Sequence, residues 1–305
     1  MDSAVYTNKL VKVYPGGVRA LDGVDIEIPR GKITCLLGPN GAGKTTFLRI
    51  ISTQLLPTSG EAYVMGYDVV KEADRIRELI AVVPQEGRPY LMVTPFDELY
   101  MGARIRGFSR EEARRRALDI LRRLDLYEFK DQKIIRLSGG QRQKVLLGRT
   151  LVSDAEILFL DEPTIGLDPV SRRHLWNDIL SLKDEGKTIL ITTHYMEEAE
   201  AIADYLYIIH RGRVIASGRV SDIISNLGYE MVVYIIADEW KATEKLSRFR
   251  YEKIGNKYMI QVDDKKDLFD LVRIAVENGY VITIKQPSLE DVFVKLVGEY
   301  EEGTN

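Results

Sequence analysis

Dense apolar runs alternate with amphipathic stretches through much of the chain. The segments "KITCLLG" (32–38), "LIAVVPQ" (79–85), "AEILFLDEP" (155–163) and "KTILITTH" (187–194) are short apolar runs bounded by glycine, proline or polar residues. Such runs read as strands buried on both faces. Between them, "KTTFLRIIS" (44–52) and "VSRRHLWNDILSLKDEG" (170–186) read as helices, the second stopped by glycine. This rhythm predicts an α/β fold with a mainly parallel core sheet. Ahead of it, "KLVKVY" (9–14) and "GVDIEIP" (23–29) show partial alternation and predict an N-terminal antiparallel β-subdomain.

From about 88 to 150 the pattern turns helical, as in "SREEARRRALDILRRLDL" (109–126), and predicts a helical insertion into the core. "YLYIIHRGRVIASG" (205–218) reads as a hairpin with Arg-Gly at its turn. The tone changes beyond 220. Residues 1–220 are expected to form one domain, 221–229 a linker, and 230–305 a small α+β accessory domain. In the last of these, "MVVYIIA", "EWKATEKL", "FRYEKIG", "KYMIQVD", "DLFDLVRIAVENG" and "YVITIKQ" give the order β-α-β-β-α-β, the ferredoxin-like arrangement. "SLEDVFVKLVGEY" closes it as a terminal helix.

Composition narrows the class without deciding it. The 305 residues are 45% hydrophobic and 29% charged, and 43 basic against 46 acidic residues leave a formal net charge of -3. No basic excess points to a nucleic-acid partner. The single cysteine, Cys35, rules out an intrachain disulfide and fits a reducing compartment. No run reaches the roughly 18 apolar residues of a membrane-spanning helix, and the start "MDSAVYTNKL" has no apolar signal region. A cytoplasmic protein is expected, tied to a membrane only through a partner.

The chemistry is concentrated in two places. "GPNGAGKTT" (38–46) follows a buried strand and opens a helix, the setting of a phosphate loop. Gly38, Asn40, Gly41 and Gly43 form the loop that wraps a phosphate chain. Lys44 supplies a positive charge at the outer phosphates, Thr45 a hydroxyl for Mg²⁺, and Thr46 with the helix N-terminus meets the inner phosphates. "ILFLDE" then delivers two carboxylates at the C-terminal end of a strand, where ligands sit in open α/β sheets. Asp161 is suited to hold Mg²⁺ and Glu162, facing the other way along the strand, to polarise an attacking water.

A second small-residue turn, "LSGGQRQK" (137–144), stands before another helix. "LSGGQ" is identical to the signature of ATP-binding-cassette (ABC) ATPases, and residues 1 to about 220 resemble that family with its elements in order. The resemblance implies roles for single residues. Tyr14 resembles the aromatic that stacks on adenine, and Gln85 the glutamine joining the Mg²⁺ site to the helical insertion. Asp168 in "GLDP" resembles the loop that meets a partner subunit, and His194 the histidine that contacts the γ-phosphate. Glu162, His194, Lys44 and Gln85 are then the catalytic set, with Thr45, Gln85 and Asp161 around the metal. Ser138, Gly139, Gly140 and Gln141 would meet the ATP of a second ATPase subunit, in a dimer expected to be of two identical copies.

Two classes of work fit such an ATPase: driving a membrane transporter through a separate permease subunit, or acting as a soluble ABC protein. One cassette, no sustained heptads and no basic excess favour the transporter. "LLPTSGEAYVMGYDV", "EPTIGLDPVSRR" and "PSLEDVFVKLVGE" resemble exporter ATPases of the daunorubicin-resistance type. An importer with a small regulatory domain is the alternative. Tyr90, Leu91, Met92, Phe96, Tyr100 and Met101 after Gln85 are expected mostly in the insertion's own core rather than in a groove for a permease helix. Arg104, Arg106, Arg110, Arg114, Arg115 and Arg116 are expected on a solvated helix face rather than against anionic lipid.

Overall fold

The structure is a computed structural model that describes residues 3–85, 87–236, 246, 249, 251–254 and 257–302. They gather into two compact units, Met1–Gly218 and Arg219–Asn305.

The first unit is built on two sheets. In one, β1 (Ser3–Val13) pairs with β2 (Arg19–Pro29) and β4 (Ser59–Val64), and β4 pairs with β5 (Tyr67–Asp68), all antiparallel. Alternation along β2 buries Val24, Ile26 and Ile28 and exposes the residues between. The other sheet has the order β10-β9-β3-β8-β7-β6. Here β3 (Ile33–Leu37), β6 (Ile80–Val83), β7 (Ile157–Asp161), β8 (Thr188–Thr193) and β9 (Tyr205–His210) run parallel, and β10 (Arg213–Gly218) is antiparallel at the edge. Strands β3, β7 and β8 are buried at every position, as their continuous apolar runs require. The β9–β10 turn has positive φ at Arg211 and Gly212, the backbone a two-residue hairpin of this hand needs.

Helix α1 (Lys44–Ile51) lies in the core that joins the two sheets. Its Phe47, Ile50 and Ile51 share one buried cluster with Leu10, Leu21 and Val64 of the first sheet and Phe159 and Leu190 of the second. Burying a side chain of that size contributes about 1.5–3 kcal/mol, so α1, and with it the loop at its start, is held from both sides. A short helix α2 (Ala73–Leu79) leads into β6.

The insertion comprises α3 (Pro95–Ile105), α4 (Arg110–Arg123) and α5 (Gly139–Leu151), with two short 3-10 turns between α4 and α5. Each helix has its own N-cap: Thr94, Ser109 and Ser138. Close packing of the three rests on Gly148, where a Cβ would stand 3.1–3.3 Å from Leu124, Leu99 and Ile120. Returning to the core, α6 (Pro169–Asp184) follows β7 and α7 (Met196–Ile202) follows β8.

In the second unit β11 (Met231–Ile236), β12 (Tyr251–Ile254), β13 (Lys257–Val262) and β14 (Val281–Lys285) form an antiparallel sheet of order β12-β13-β11-β14. That is the ferredoxin-like order. Helix α9 (Lys265–Asn278) packs Leu271 on the face that carries Val233, Ile235, Tyr258 and Ile260, and α10 (Leu289–Glu302) ends the described chain. The expected helix over "EWKATEKL" falls outside the described residues except for Leu246.

One expected boundary differs. Residues 221–229, read as a linker, contain most of helix α8 (Val220–Ser225), and they belong to the second unit. Ile223 on the helix and Leu227 just beyond its end are buried, and Lys295 Nζ donates to the Leu227 carbonyl at 3.4 Å. The serines, aspartate and asparagine around those two apolar residues hide the helix from a composition reading.

Candidate nucleotide site and signature turn

The loop from Gly38 to Gly43 joins β3 to α1, and its glycines answer to different demands. A Cβ on Gly38 would lie 2.3 Å from the Ile209 carbonyl oxygen, and one on Gly43 would lie 2.4 Å from that of Ala20. Both positions are glycine because neighbouring backbone passes too close for a side chain. Gly41, with φ +81° and open space around it, supplies the turn itself. Asn40 and Gly41 form an exposed crest. Beside the loop, the half-buried Tyr14 sets its hydroxyl 3.2 Å from Thr46 Oγ1, and Lys12 Nζ stands 5.5 Å from the ring centre.

Lys44 points back into the loop. Its ammonium donates to the Gly38 and Pro39 carbonyls at 2.7 and 3.1 Å and pairs with Glu162 Oε1 at 3.2 Å. Gln85 Nε2 donates to Glu162 Oε2 at 3.1 Å, and His194 Nδ1 lies 3.1 Å from the same oxygen. Facing a carboxylate, that nitrogen is the one that carries the proton. Three residues separated widely in sequence thus converge on one carboxylate.

Asp161, the last residue of β7, accepts from the Thr192 hydroxyl and from Thr45 Oγ1, the latter at 3.3 Å. Burial pushes its carboxyl above the usual carboxylate range, against the two threonine hydrogen bonds. Thr192 was not among the expected site residues. It bonds Asp161 and also accepts from the Glu162 N–H at 3.1 Å, and the Thr-Thr pair directly after the apolar Ile189–Ile191 run is the signal it left in the sequence.

Strand alternation led to the expectation that Asp161 and Glu162 face opposite ways. The structure differs because Glu162 has φ +48°, a left-handed backbone that leaves the strand geometry. Glu162 therefore reaches Lys44 while Asp161 reaches Thr45, and both carboxylates serve the same loop. Such a backbone costs of order 1–3 kcal/mol and concentrates at functional sites. Hard oxygen donors on Thr45 and Asp161, already within hydrogen-bond reach of each other, suit Mg²⁺. Gln85 is bonded to Glu162 instead.

The signature turn is organised locally. Ser138 caps α5 by accepting from the Gln141 N–H at 3.2 Å, and Gln141 Oε1 accepts from the Ser138 N–H at 2.9 Å. Gln141, expected to meet nucleotide, thus spends its side-chain carbonyl on the cap. Gly140 faces α6, where a Cβ would come 2.6 Å from Ser171 Oγ. Gly139 is exposed, with nothing near the place of its Cβ. Ser171 in turn donates to Asp168 Oδ2 at 2.6 Å, and Asp168 caps α6 through the Val170 and Ser171 N–H groups at 3.0 Å.

Beside the insertion lies a groove of about 600 Å³ lined by Tyr90, Leu91, Met92, Met101, Ile105 and others. Tyr90, Met92 and Met101 are exposed, so the expectation that these residues fill the insertion's core is corrected: they face outward. Phe96 and Tyr100 stack on each other with ring centres 5.8 Å apart. The arginines lie along α3 and α4 and make local contacts. Arg115 and Arg116 pair with Glu112, Arg104 and Arg106 bond backbone carbonyls, and Arg114 lies over the Phe96 ring. Among the described residues no helix is long and apolar enough to cross a membrane.

Known proteins resemble this chain in sequence and fold. The ABC transporter family model matches residues 21–165. The daunorubicin/doxorubicin resistance ATP-binding protein DrrA of Streptomyces peucetius is 36% identical over 97% of this chain and 92% of its own length. The Nod factor export ATP-binding protein I of Ralstonia nicotianae is 35% identical over 93% and 90%. A dimeric ATP-binding cassette in a post-hydrolysis state, bound to ADP and Pi, superimposes with a TM-score of 0.64 at 28% identity over 70% of this chain and 98% of that one. Identity of this extent over nearly the whole chain places it in the ABC transporter family, as an ATP-binding subunit that hydrolyses ATP.

Proposed function

We propose that two copies of this chain close around two ATP molecules and that their hydrolysis drives an exporter through a separate permease subunit. The convergence of Lys44, Gln85 and His194 on Glu162 carries the mechanism. Glu162 neutralises Lys44. Triphosphate binding draws the Lys44 ammonium to the outer phosphates and leaves the Glu162 carboxylate free. That carboxylate accepts a proton from water as the water oxygen bonds to the γ-phosphorus and the bond to the β–γ bridging oxygen breaks. His194 and Lys44 donate to the oxygens on which charge develops. Thr45 and Asp161 would hold Mg²⁺, which supplies charge neutralisation at the phosphates.

The signature turn completes the site across a two-fold axis. Ser138 and the exposed Gly139 present the N-terminal end of α5 outward, while the bonds of Lys44 stay within its own loop and Glu162. Free N–H groups at such a helix end suit a phosphate, and a two-fold pair would set each turn on the other copy's γ-phosphate. Loss of that phosphate on hydrolysis releases the dimer. The relatives named as resistance and export proteins support export, and the apolar groove beside the insertion suits a short helix of the permease. Glu162→Gln tests the core of this reading. It should bind ATP like the wild type and lose nearly all turnover, whereas wild-type turnover would remove the general-base role.

A further inference from the structure

Glu198 is wholly buried on α7, four residues after His194. A carboxyl group in that position needs partners. Its Oε1 accepts from Trp176 Nε1 of α6 at 3.1 Å. Burial raises its pKa above the usual carboxylate range, and the Thr193 and Thr164 hydroxyls, the Trp176 indole and the Arg172 charge act against that shift. These neighbours belong to segments that matter. Thr193 ends β8 and its hydroxyl accepts from the Tyr195 N–H at 3.0 Å, fixing the turn that carries His194. Thr164, 1% exposed, lies in the loop running from Glu162 to Asp168. Arg172 stands in the first turn of α6, its guanidinium 4.6 Å from the Tyr195 ring centre, and the Tyr195 and His194 rings are 4.0 Å apart.

This junction is incomplete. Glu198 Oε2, Thr164 Oγ1 and Arg172 Nε are each buried without a hydrogen-bond partner. The two threonine hydroxyls are close enough to act on the carboxyl's charge, yet neither completes a hydrogen bond to Oε2. The three orphans come from α7, from the loop after Glu162 and from α6, and buried polar groups of this kind are nearly always bonded.

We infer that Glu198 is a positioning residue that locks the His194 turn and the Asp168 loop into one register. The inference rests on the reading of His194 as a γ-phosphate contact and of the Asp168 loop as an element of the dimer interface. It links the two composite sites. His194 serves the ATP held by its own chain, and the Asp168 loop faces the partner.

Glu198→Gln, Thr164→Val, Thr164→Ser and the Gln/Val double variant, made in the full chain, test it beside Glu162→Gln. Steady-state ATPase, ATP binding and the thermal midpoint are read for each. Glu198→Gln and Thr164→Val should lower kcat by about tenfold to a hundredfold, the range for a slightly misplaced catalytic group, with KM for ATP and Tm close to wild type. Thr164→Ser should restore kcat, and the double variant should be no slower than the slower single, because both act on one contact. Wild-type kcat in both single variants, a loss of kcat that follows Tm, or losses that multiply would overturn the inference. If Glu162→Gln itself turns over ATP, the reading of the site fails. If Glu162→Gln is inactive and Glu198→Gln is wild type, only the role of Glu198 fails.

Discussion

Lys44 Nζ lies 3.2 Å from Glu162 Oε1, and both side chains are only 4% exposed. The charge suited to phosphate and the carboxylate suited to water hold each other. Removing one partner of a buried pair strands the other, at a cost of up to about 3–5 kcal/mol, reduced here because Gln85 and His194 also reach Glu162. Lys44→Met should therefore abolish ATPase activity and also lower stability. Urea unfolding of Lys44→Met and of Lys44→Met/Glu162→Gln checks this. The second lesion should recover stability, and a further loss would show that the pair is not coupled.

The two signature glycines should behave differently. Gly140→Ala puts a Cβ 2.6 Å from Ser171 Oγ and should destabilise the isolated chain by about 1–3 kcal/mol, as overpacking does. Ser171→Gly should relieve part of that loss. Gly139→Ala has open space and should leave Tm unchanged while lowering turnover, because the added methyl meets only what the partner brings. Melting curves and ATPase rates on the two variants separate packing from trans contact.

Acid should loosen the start of α6. Hydrogen bonds from the Ser171 hydroxyl, and then from the Ser171 N–H, hold the Asp168 carboxyl below the usual carboxylate value. Its folded-state pKa is depressed, so its stabilisation is present above the unfolded value and fades as pH falls through the folded one. Thermal midpoints of wild type and Asp168→Asn should differ near neutral pH and converge below about pH 4, the ordinary carboxylate range. A difference that persists in acid would show that the effect is not ionic.

Groove occupancy can be separated from catalysis. Met101→Asp places a charge on an exposed groove residue that bonds none of the catalytic set. It should leave basal ATPase unchanged and weaken co-purification with the proposed permease subunit. Unchanged co-purification would move the docking surface elsewhere.

Much of this was legible in the sequence. Continuous apolar runs fixed the parallel strands, because a strand buried on both faces has no polar positions to alternate with. The phosphate loop, Asp161 and Glu162 were readable because each sits at a strand end or a turn where chemistry constrains residue type, whereas His194 was expected only from the family resemblance. What escaped depends on backbone geometry or on partners distant in sequence. Nothing in "LDEP" announces the φ of +48° that turns Glu162 toward Lys44. Thr192 and Glu198 look like ordinary polar residues until β8 and α7 carry them to Asp161 and Trp176. The exposure of Tyr90 and Met92 escaped for a related reason: apolar composition cannot say which face of a segment is covered.

Mixing tests whether the two sites act separately. Lys44→Ala chains mixed with Ser138→Arg chains should yield dimers in which one site carries both lesions and the other neither. Activity in the mixture, absent from each protein alone, would show independent composite sites, and none would show strict coupling or a failed trans contact.

Crosslinking tests the central claim most directly. Cys35 is buried, so cysteines placed at the exposed Asn40 and Gly139 are the ones an oxidant reaches. In the Glu162→Gln background, Asn40→Cys/Gly139→Cys protein should form a covalent dimer with Mg²⁺ and ATP, and not with ADP. A disulfide confined to single chains, or no crosslink while ATP is bound, would contradict a nucleotide shared between the loop of one copy and the signature turn of another.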